Sequence, residues 1–225
     1  MSPEARTAAP SAAKPAAATS ARKPLLIFGA GGHGRVVADA ALLQAAWSVV
    51  TASDRDPARC RGELLPGIAL QPVAVPSGAD VHIAIGGNQA REKEAREALA
   101  AGGATLVSVI HPAARVSPFC AIAPGCFVAA GAVLAPGVDL DAGVIVNHGA
   151  VVDHDTHIGA FTHIAPNATL GGGVAIGQRV LVGAGAIVLP LVTIGDDITV
   201  GAGSVVRTHL TEAGTYVGVP ARRIR

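Results

Sequence analysis

Four of the eight histidines, His148, His154, His157 and His163, fall within 16 consecutive residues of this 225-residue chain. One of them, His154, stands between Asp153 and Asp155. An imidazole titrates near neutrality, so it can take up and return a proton at working pH, and a neighbouring carboxylate fixes its tautomer and stabilises its imidazolium. That is the equipment of a general base. Moving an acyl group from a thioester to an amine or hydroxyl requires such a base. It also requires a donor, often a backbone amide, for the oxyanion of the tetrahedral intermediate. Where that donor stands depends on the elements that carry the histidines.

Those elements are set by a repeat. From Ile110 to Val206 every sixth residue is aliphatic, 17 positions without a slip. A helix repeats near 3.6 and a strand near 2, so neither explains a strict period of six. Hexapeptide periods predict a parallel β-helix. Four places after each aliphatic residue a small or β-branched one recurs, as at Ala132, Ala150, Thr156, Ala168 and Ser204. One large and one small inward residue per hexad suit a narrow three-sided prism, with Gly, Asp and Asn at its corners. Three hexads to a coil give five to six coils, about 27 Å tall at roughly 4.8 Å between paired strands. Residues 18 apart then stack, so Gly172 stands one coil above His154. Its amide carries no side chain to obstruct an acyl group, and base and oxyanion donor share one corner. His163 lies half a coil from His154, on another part of the prism. Spacings of six, three and six aim the four histidine rings at different faces, which predicts no metal site.

Ahead of the prism the chain reads as strand, glycine-rich turn and helix: an apolar strand over 24–28, Gly29-Ala30-Gly31-Gly32-His33-Gly34, then an apolar run over 36–43. Gly29, Gly31 and Gly34 match G-x-G-x-x-G, a turn that lets a phosphate approach amides at a helix start. A second strand over 47–52 leads to Asp54, twenty residues past Gly34, placed to hydrogen-bond a ribose hydroxyl. Then come an apolar segment over 81–85, the turn Gly86-Gly87-Asn88, a helix over 89–101 and a strand over 104–109 that runs into the first hexad. About four strands are half a dinucleotide fold, enough for one nucleotide and an argument against a nicotinamide-dependent dehydrogenase.

A short Gly-His-Gly half domain followed by a hexapeptide prism resembles the acetyltransferases of bacterial sugar-nucleotide pathways, of the PglD and NeuD types, in the hexapeptide-repeat acyltransferase superfamily. The resemblance covers residues 24–225. It implies a left-handed helix, a hand the periodicity does not give, since crossovers between parallel strands are normally right-handed. The expected fold is thus an α/β Rossmann-like half domain over 24–109 followed by an all-β left-handed parallel β-helix over 110–225. The resemblance implies N-acetylation of a UDP- or GDP-linked amino-deoxy-sugar by acetyl-CoA, in bacterial surface-glycan biosynthesis. The alternative within the class is O-acetylation of a sialic acid, and outside it a non-catalytic sugar-nucleotide-binding scaffold.

Val152-Asp153-His154-Asp155 matches the family motif V-[DE]-H-[DE], whose histidine is the proposed general base, and Gly172 falls where the oxyanion amide is expected. The family assembles as homotrimers with acetyl-CoA between neighbouring prisms. This assigns His163, Gly172 and Gly173 to the coenzyme and Asn147 to the acceptor. Gly31-Gly32-His33-Gly34 takes the diphosphate, and Gly87 and Asn88 match the third-strand turn. Paired aspartates normally follow the second strand; here Asp54-Arg55-Asp56 keeps only the first. The closing segment carries G-x-P-A-[KR], and its Arg222 and Arg223 are placed to pair with the phosphates of CoA.

Composition narrows the partners. The net charge is +1, from 17 basic and 16 acidic residues, so no basic field favours nucleic acid or an anionic membrane. No apolar stretch has the length of a membrane span, and the expected location is the cytoplasm. Half of the residues are hydrophobic but only 3% are aromatic, which suits a core of Val, Ile, Leu and Ala. Cys120 and Cys126 occupy small inward positions of the repeat and read as packing residues. Residues 1–23, rich in Ala, Pro and Ser, cannot bury a core and are expected to be disordered.

Overall fold

The computed structural model describes residues 22–72, 78–100, 102 and 104–225. The expectation for the tail therefore lies, except at residues 22 and 23, outside the described residues.

The apolar run Leu25-Leu26-Ile27 is buried throughout, as a strand covered on both faces must be. It forms β1 (Leu25–Phe28), followed by α1 (Gly32–Gln44), β2 (Val50–Ser53), β3 (Glu63–Leu65), β4 (Ile68–Ala69), β5 (Asp80–Ile83), α2 (Asn88–Ala100) and β6 (Thr105–Leu106). The strands β2, β1, β5 and β6 lie in that order in one parallel sheet. The antiparallel hairpin β3–β4 was not expected. Its signal was Pro66-Gly67, where Gly67 takes the left-handed conformation (φ 82°) that the third residue of a type II turn requires. Helix α1 starts earlier than the apolar run suggested, so His33 and Gly34 lie in its first turn. It ends at Ala45, whose left-handed φ of 52° turns the chain back toward the sheet.

From Val109 the chain winds as a three-sided left-handed parallel β-helix. The first sheet contains Val109–Ile110, Phe127–Val128, Ile145–Val146, His163–Ile164, Leu181–Val182 and Ile198–Val200. The second contains Val133–Leu134, Val151–Val152 and Thr169–Leu170, and the third Asp139–Leu140, His157–Ile158 and Ala175–Ile176, among others. Each strand pairs with the one a full coil away, as in Ile145↔His163 and Val151↔Thr169. The sixth-position aliphatics and the small residues four places on, such as Val152, Ile158, Ala150 and Ala168, form one buried core. The corners stack through backbone bonds, as from Gly173 N to the His154 carbonyl at 2.8 Å. Several corner residues other than glycine hold positive φ, among them Asp155 (57°), Phe161 (57°), Arg179 (56°) and Asp197 (56°). A side chain kept at such a costly position marks a place where function is to be sought.

The two halves share a hydrophobic cluster. Val37, Ala38 and Ala41 of α1 meet Val109, Phe127 and Ile145, which point outward from the first sheet of the prism. The nucleotide-type half therefore sits on that sheet. At the carboxyl end Gly214–Val217 extends the same sheet, and Arg222–Arg223 returns antiparallel to it.

Candidate active site

The corner that carries His154 is built as the repeat requires. His154 Nδ1 lies 2.9 Å from Asp155 Oδ2. A carboxylate only accepts, so Nδ1 carries the proton and Nε2 keeps its lone pair. Asp153 does a different job: its Oδ1 accepts from the His154 backbone amide at 2.8 Å. The Asp155 hydrogen bond, then the Asp153 charge, hold the imidazole above its ordinary pKa of 6.5. Directly over the ring is Gly172, where an added Cβ would lie 2.5 Å from Nε2. Among the described residues the Gly172 N–H donates to no protein acceptor. A basic nitrogen and a free amide donor are thus one coil apart, on a corner where the His154 side chain is 61% exposed.

A second locus surrounds the glycine-rich turn. A cavity of about 370 Å³ is lined by Gly29, Gly31, Gly32, His33, Asp54, Arg55, Arg59 and Gly86, among others. The start of α1 has no side-chain cap and no acidic residue in its first turn, which leaves its amides to an anion. Gly34 is required for packing, since a Cβ there would stand 1.9 Å from the Gly29 carbonyl oxygen. Asp54 is engaged by the turn itself: its carboxylate accepts from Ala30 N at 2.8 Å and from Asp56 N at 3.0 Å. Burial, then the nearby His82, pushes His33 down to about 3, so its ring is neutral and offers no positive charge to a diphosphate. Its buried Nε2 has no partner among the described residues.

A third locus lies where the two halves meet. A cavity of about 520 Å³ is lined by Gly86, Gly87, Asn88, His163, Arg179, Leu181 and Asp197, among others, and Gly86 is common to both cavities. His163 Nδ1 approaches the Gly86 carbonyl at 3.3 Å, and Asn147 Nδ2 lies 3.1 Å from its Nε2. Burial, then the charge of Arg91, pushes His163 down to about 4. The ring of His33 is 6.5 Å away, centroid to centroid. Asn88 is engaged by the protein: Nδ2 donates to the carbonyls of Arg179 and Val180, both at 3.0 Å, and Oδ1 accepts from Arg91. What this turn can offer a ligand is therefore its backbone.

The chain thus gathers Gly31, Gly32, His33 and Asp54 around one cavity, with Gly34 packed behind the turn, and Gly87, Asn88 and His163 around the other, with Asn147 bonded to His163. His154, Asp153, Asp155, Gly172 and Gly173 stand apart on their own corner. No hydrogen bond or ion pair among the described residues joins the two groups. Arg222 and Arg223 are exposed, and Arg223 is 3.7 Å from Glu212. His157 lies between Asp139 at 3.4 Å and Asp141 at 3.7 Å. Among the described residues no group of three or more His, Cys, Asp or Glu is placed to hold a metal ion. No described helix is long and apolar enough to cross a membrane.

Sequence reasoning missed Arg91 and the Arg179–Asp197 pair. Arg91 had a faint signal, because it falls on the α2 stripe of Ala95 and Ala98, which turns toward the sheet. Arg179 and Asp197 stand 18 residues apart and so on stacked corners, where they form a two-pronged ion pair at 2.7 and 2.6 Å.

The family profile of the PglD N-terminal domain matches residues 24–98, and that of the bacterial transferase hexapeptide (six repeats) matches 155–190. The acetyltransferase domain of PglB from Neisseria gonorrhoeae superposes with a TM-score of 0.84 at 35% identity, over 90% of this chain and 100% of that one. It has also been solved in complex with acetyl coenzyme A. PerB from Caulobacter crescentus, solved with CoA and GDP-perosamine, gives 0.82 at 36% identity, over 92% of this chain and 99% of that one. WeeI from Acinetobacter baumannii shares the fold, at 0.74 and 23% identity, over 90% of this chain and 100% of that one. Among curated proteins there is no match to the chain. Fold and likeness together define an acetyltransferase of the hexapeptide-repeat class that uses acetyl-CoA. The chain belongs to its PglD-type family of sugar-nucleotide acetyltransferases.

Proposed function

We propose that this protein moves the acetyl group of acetyl-CoA to the amine of a nucleotide-linked amino-deoxy-sugar, in the assembly of a bacterial surface glycan. The observation that carries the reading is the His154 corner, with Nδ1 on Asp155 and a bare Nε2 beneath the free Gly172 amide. The acceptor amine attacks the thioester carbonyl and His154 Nε2 takes its proton. The Gly172 N–H faces the oxyanion, and Gly173, whose own amide donates to the His154 carbonyl, holds the two coils together beside the thioester. Collapse of the tetrahedral intermediate breaks the C–S bond, and the imidazolium returns the proton to the departing CoA thiolate.

The part over 24–109 holds the nucleotide through the amides of Gly31, Gly32, His33 and Gly34, with Asp54, Gly87 and Asn88 beside it. The part over 110–225 holds the coenzyme, with Arg222 and Arg223 toward its phosphates. The likeness to PerB, solved with CoA and GDP-perosamine, supports this division. Acetyl-CoA is a cytoplasmic metabolite and the three cysteines are free, as expected of a reducing compartment, so we place the reaction in the cytoplasm.

Thiol release from acetyl-CoA, followed over UDP- and GDP-linked amino-sugars and free sialic acids, tests the reading. Turnover with a nucleotide amino-sugar is the expected result. Release with a free sialic acid alone would replace it by O-acetylation, and binding of sugar nucleotide without any release would leave a scaffold.

His154 and the His163 cavity stand on different parts of one prism, so we propose that a neighbouring copy in a homotrimer closes the site. The exposed aliphatics Ile187, Leu189 and Leu191, at 42%, 38% and 74%, supply a surface for it. Multi-angle light scattering is expected to return three times the chain mass of 22.2 kDa. A monomer at working concentration would end the shared-site arrangement.

A further inference from the structure

Helix α2 carries a buried cation that pairs with no carboxylate among the described residues. Arg91 is 1% exposed. Its guanidinium donates on one side to the carbonyls of Ile85 at 2.9 Å and Gly86 at 3.1 Å, and to Asn88 Oδ1 at 3.2 Å. On the other side it donates to the prism carbonyls of Gly143 at 2.8 Å, Phe161 at 2.6 Å and Thr162 at 3.4 Å. Desolvating such a charge without a counter-ion is expensive. A mere fastening of the two halves does not need it, because the cluster of Val37, Ala41, Phe127 and Ile145 already joins them.

The acceptors show what the arginine does. Gly86 is the residue both cavities share, and its carbonyl faces His163 Nδ1. Phe161 and Thr162 lead directly into His163. One rigid fork therefore holds both ends of the Gly86–His163 contact. We propose that Arg91 is a positioning residue for acetyl transfer: it locks the Gly86 turn onto the prism so that the sugar is delivered along His163, and it holds that ring with Nδ1 protonated and Nε2 accepting from the Asn147 amide. The inference rests on the acetyl-transfer reading, since it concerns the path of the acceptor.

The groups that face His163 are the Gly86 carbonyl, the Asn147 amide, the His33 ring and the Arg91 guanidinium, with the paired Arg179 and Asp197 across the cavity. None is an unpaired carboxylate, and burial and the Arg91 charge outweigh the Gly86 carbonyl, which alone favours an imidazolium. A lysine keeps the charge of Arg91 but not the fork, and its compact ammonium cannot reach acceptors on both sides.

The test is Arg91→Lys in the full chain, assayed well below its thermal midpoint. Binding of UDP or GDP and of acetyl-CoA is expected within about twofold of wild type, while kcat falls about ten- to hundredfold, the scale of an ångström-size misplacement. Nitrogen-15 spectra of the histidine rings in the wild-type chain give a second readout: His163 neutral at pH 7 with its proton on Nδ1. In Arg91→Lys the Nε2–H tautomer should gain population. An unchanged kcat overturns the proposal, as does a parallel loss of kcat, nucleotide affinity and thermal midpoint. A wild-type His163 carrying its proton on Nε2 overturns it even if the variant fails to fold. A wild-type chain that releases no thiol with any nucleotide sugar refutes the acetyl-transfer reading instead, whereas an active chain with a full-rate Arg91→Lys refutes this inference alone.

Discussion

Replacing His154 by alanine is expected to lower turnover by about two to four orders of magnitude, the range of a positioned general base. Acetyl-CoA affinity and the thermal midpoint should stay close to wild type. The ring is an exposed corner group whose only polar partner among the described residues is the adjacent Asp155, so its removal costs little packing. The pH dependence should carry the same information. Only the neutral imidazole can take the proton of the amine, and the Asp155 hydrogen bond holds its pKa above 6.5. Activity should therefore fall as pH drops through a midpoint above that value, where His154 becomes protonated. Asp155→Asn should move this acid limb downward and lower the plateau, because an amide neither stabilises the imidazolium nor enforces the tautomer. Near-wild-type turnover in His154→Ala, measured by thiol release under saturating substrate, would remove this corner from the mechanism.

Gly172→Val should abolish most acetyl transfer without unfolding the prism. The backbone at Gly172 is not in the left-handed region, so a β-branched residue meets no conformational penalty there. What it meets is the imidazole: its Cβ would lie 2.5 Å from His154 Nε2 and 2.7 Å from Cε1. The ring stands on the surface and can swing aside, so the fold survives. A displaced ring leaves Asp155, and two further methyl groups fill the space where the thioester carbonyl must meet the Gly172 amide. Losing the oriented base and the oxyanion donor together should cost at least the 10²–10³-fold, roughly, associated with one such donor. Circular dichroism melting and light scattering beside the thiol assay separate the cases. A stable variant with undiminished transfer would place the thioester elsewhere and direct attention to the His163 cavity.

Much of this was legible in the residues because the relevant distances are short along the chain or fixed by the repeat. A strict period of six points to a β-helix, though not to its hand, and a coil of three hexads puts Gly172 over His154 by counting alone; the same count stacks Arg179 under Asp197, a pair the sequence reading passed over. The strand, glycine turn and helix at the start are likewise local, since Gly34 answers to Gly29 only five residues away. The counting did not say which carboxylate serves the ring. Asp153 and Asp155 are symmetric about His154 in the sequence, and the left-handed corner at Asp155 turns that side chain, and not its twin, onto Nδ1.

The docking of the two halves was decided by tertiary structure. His163 and the Gly86 carbonyl that orients it are 77 positions apart, and Asn88 reaches carbonyls 91 and 92 positions away. No periodicity connects such residues. Their meeting depends on how the outward apolar side chains Phe127 and Ile145 fit against α1, which is a matter of shape. Hence little in the sequence singles out Arg91 on its polar helix, and Asn88 and His33 enter only through the nucleotide-binding turns that the family resemblance implies. The interface takes water away from all three, and burial changes what each can do: the arginine becomes a clamp, the amide is engaged by prism carbonyls, and the histidine stays neutral.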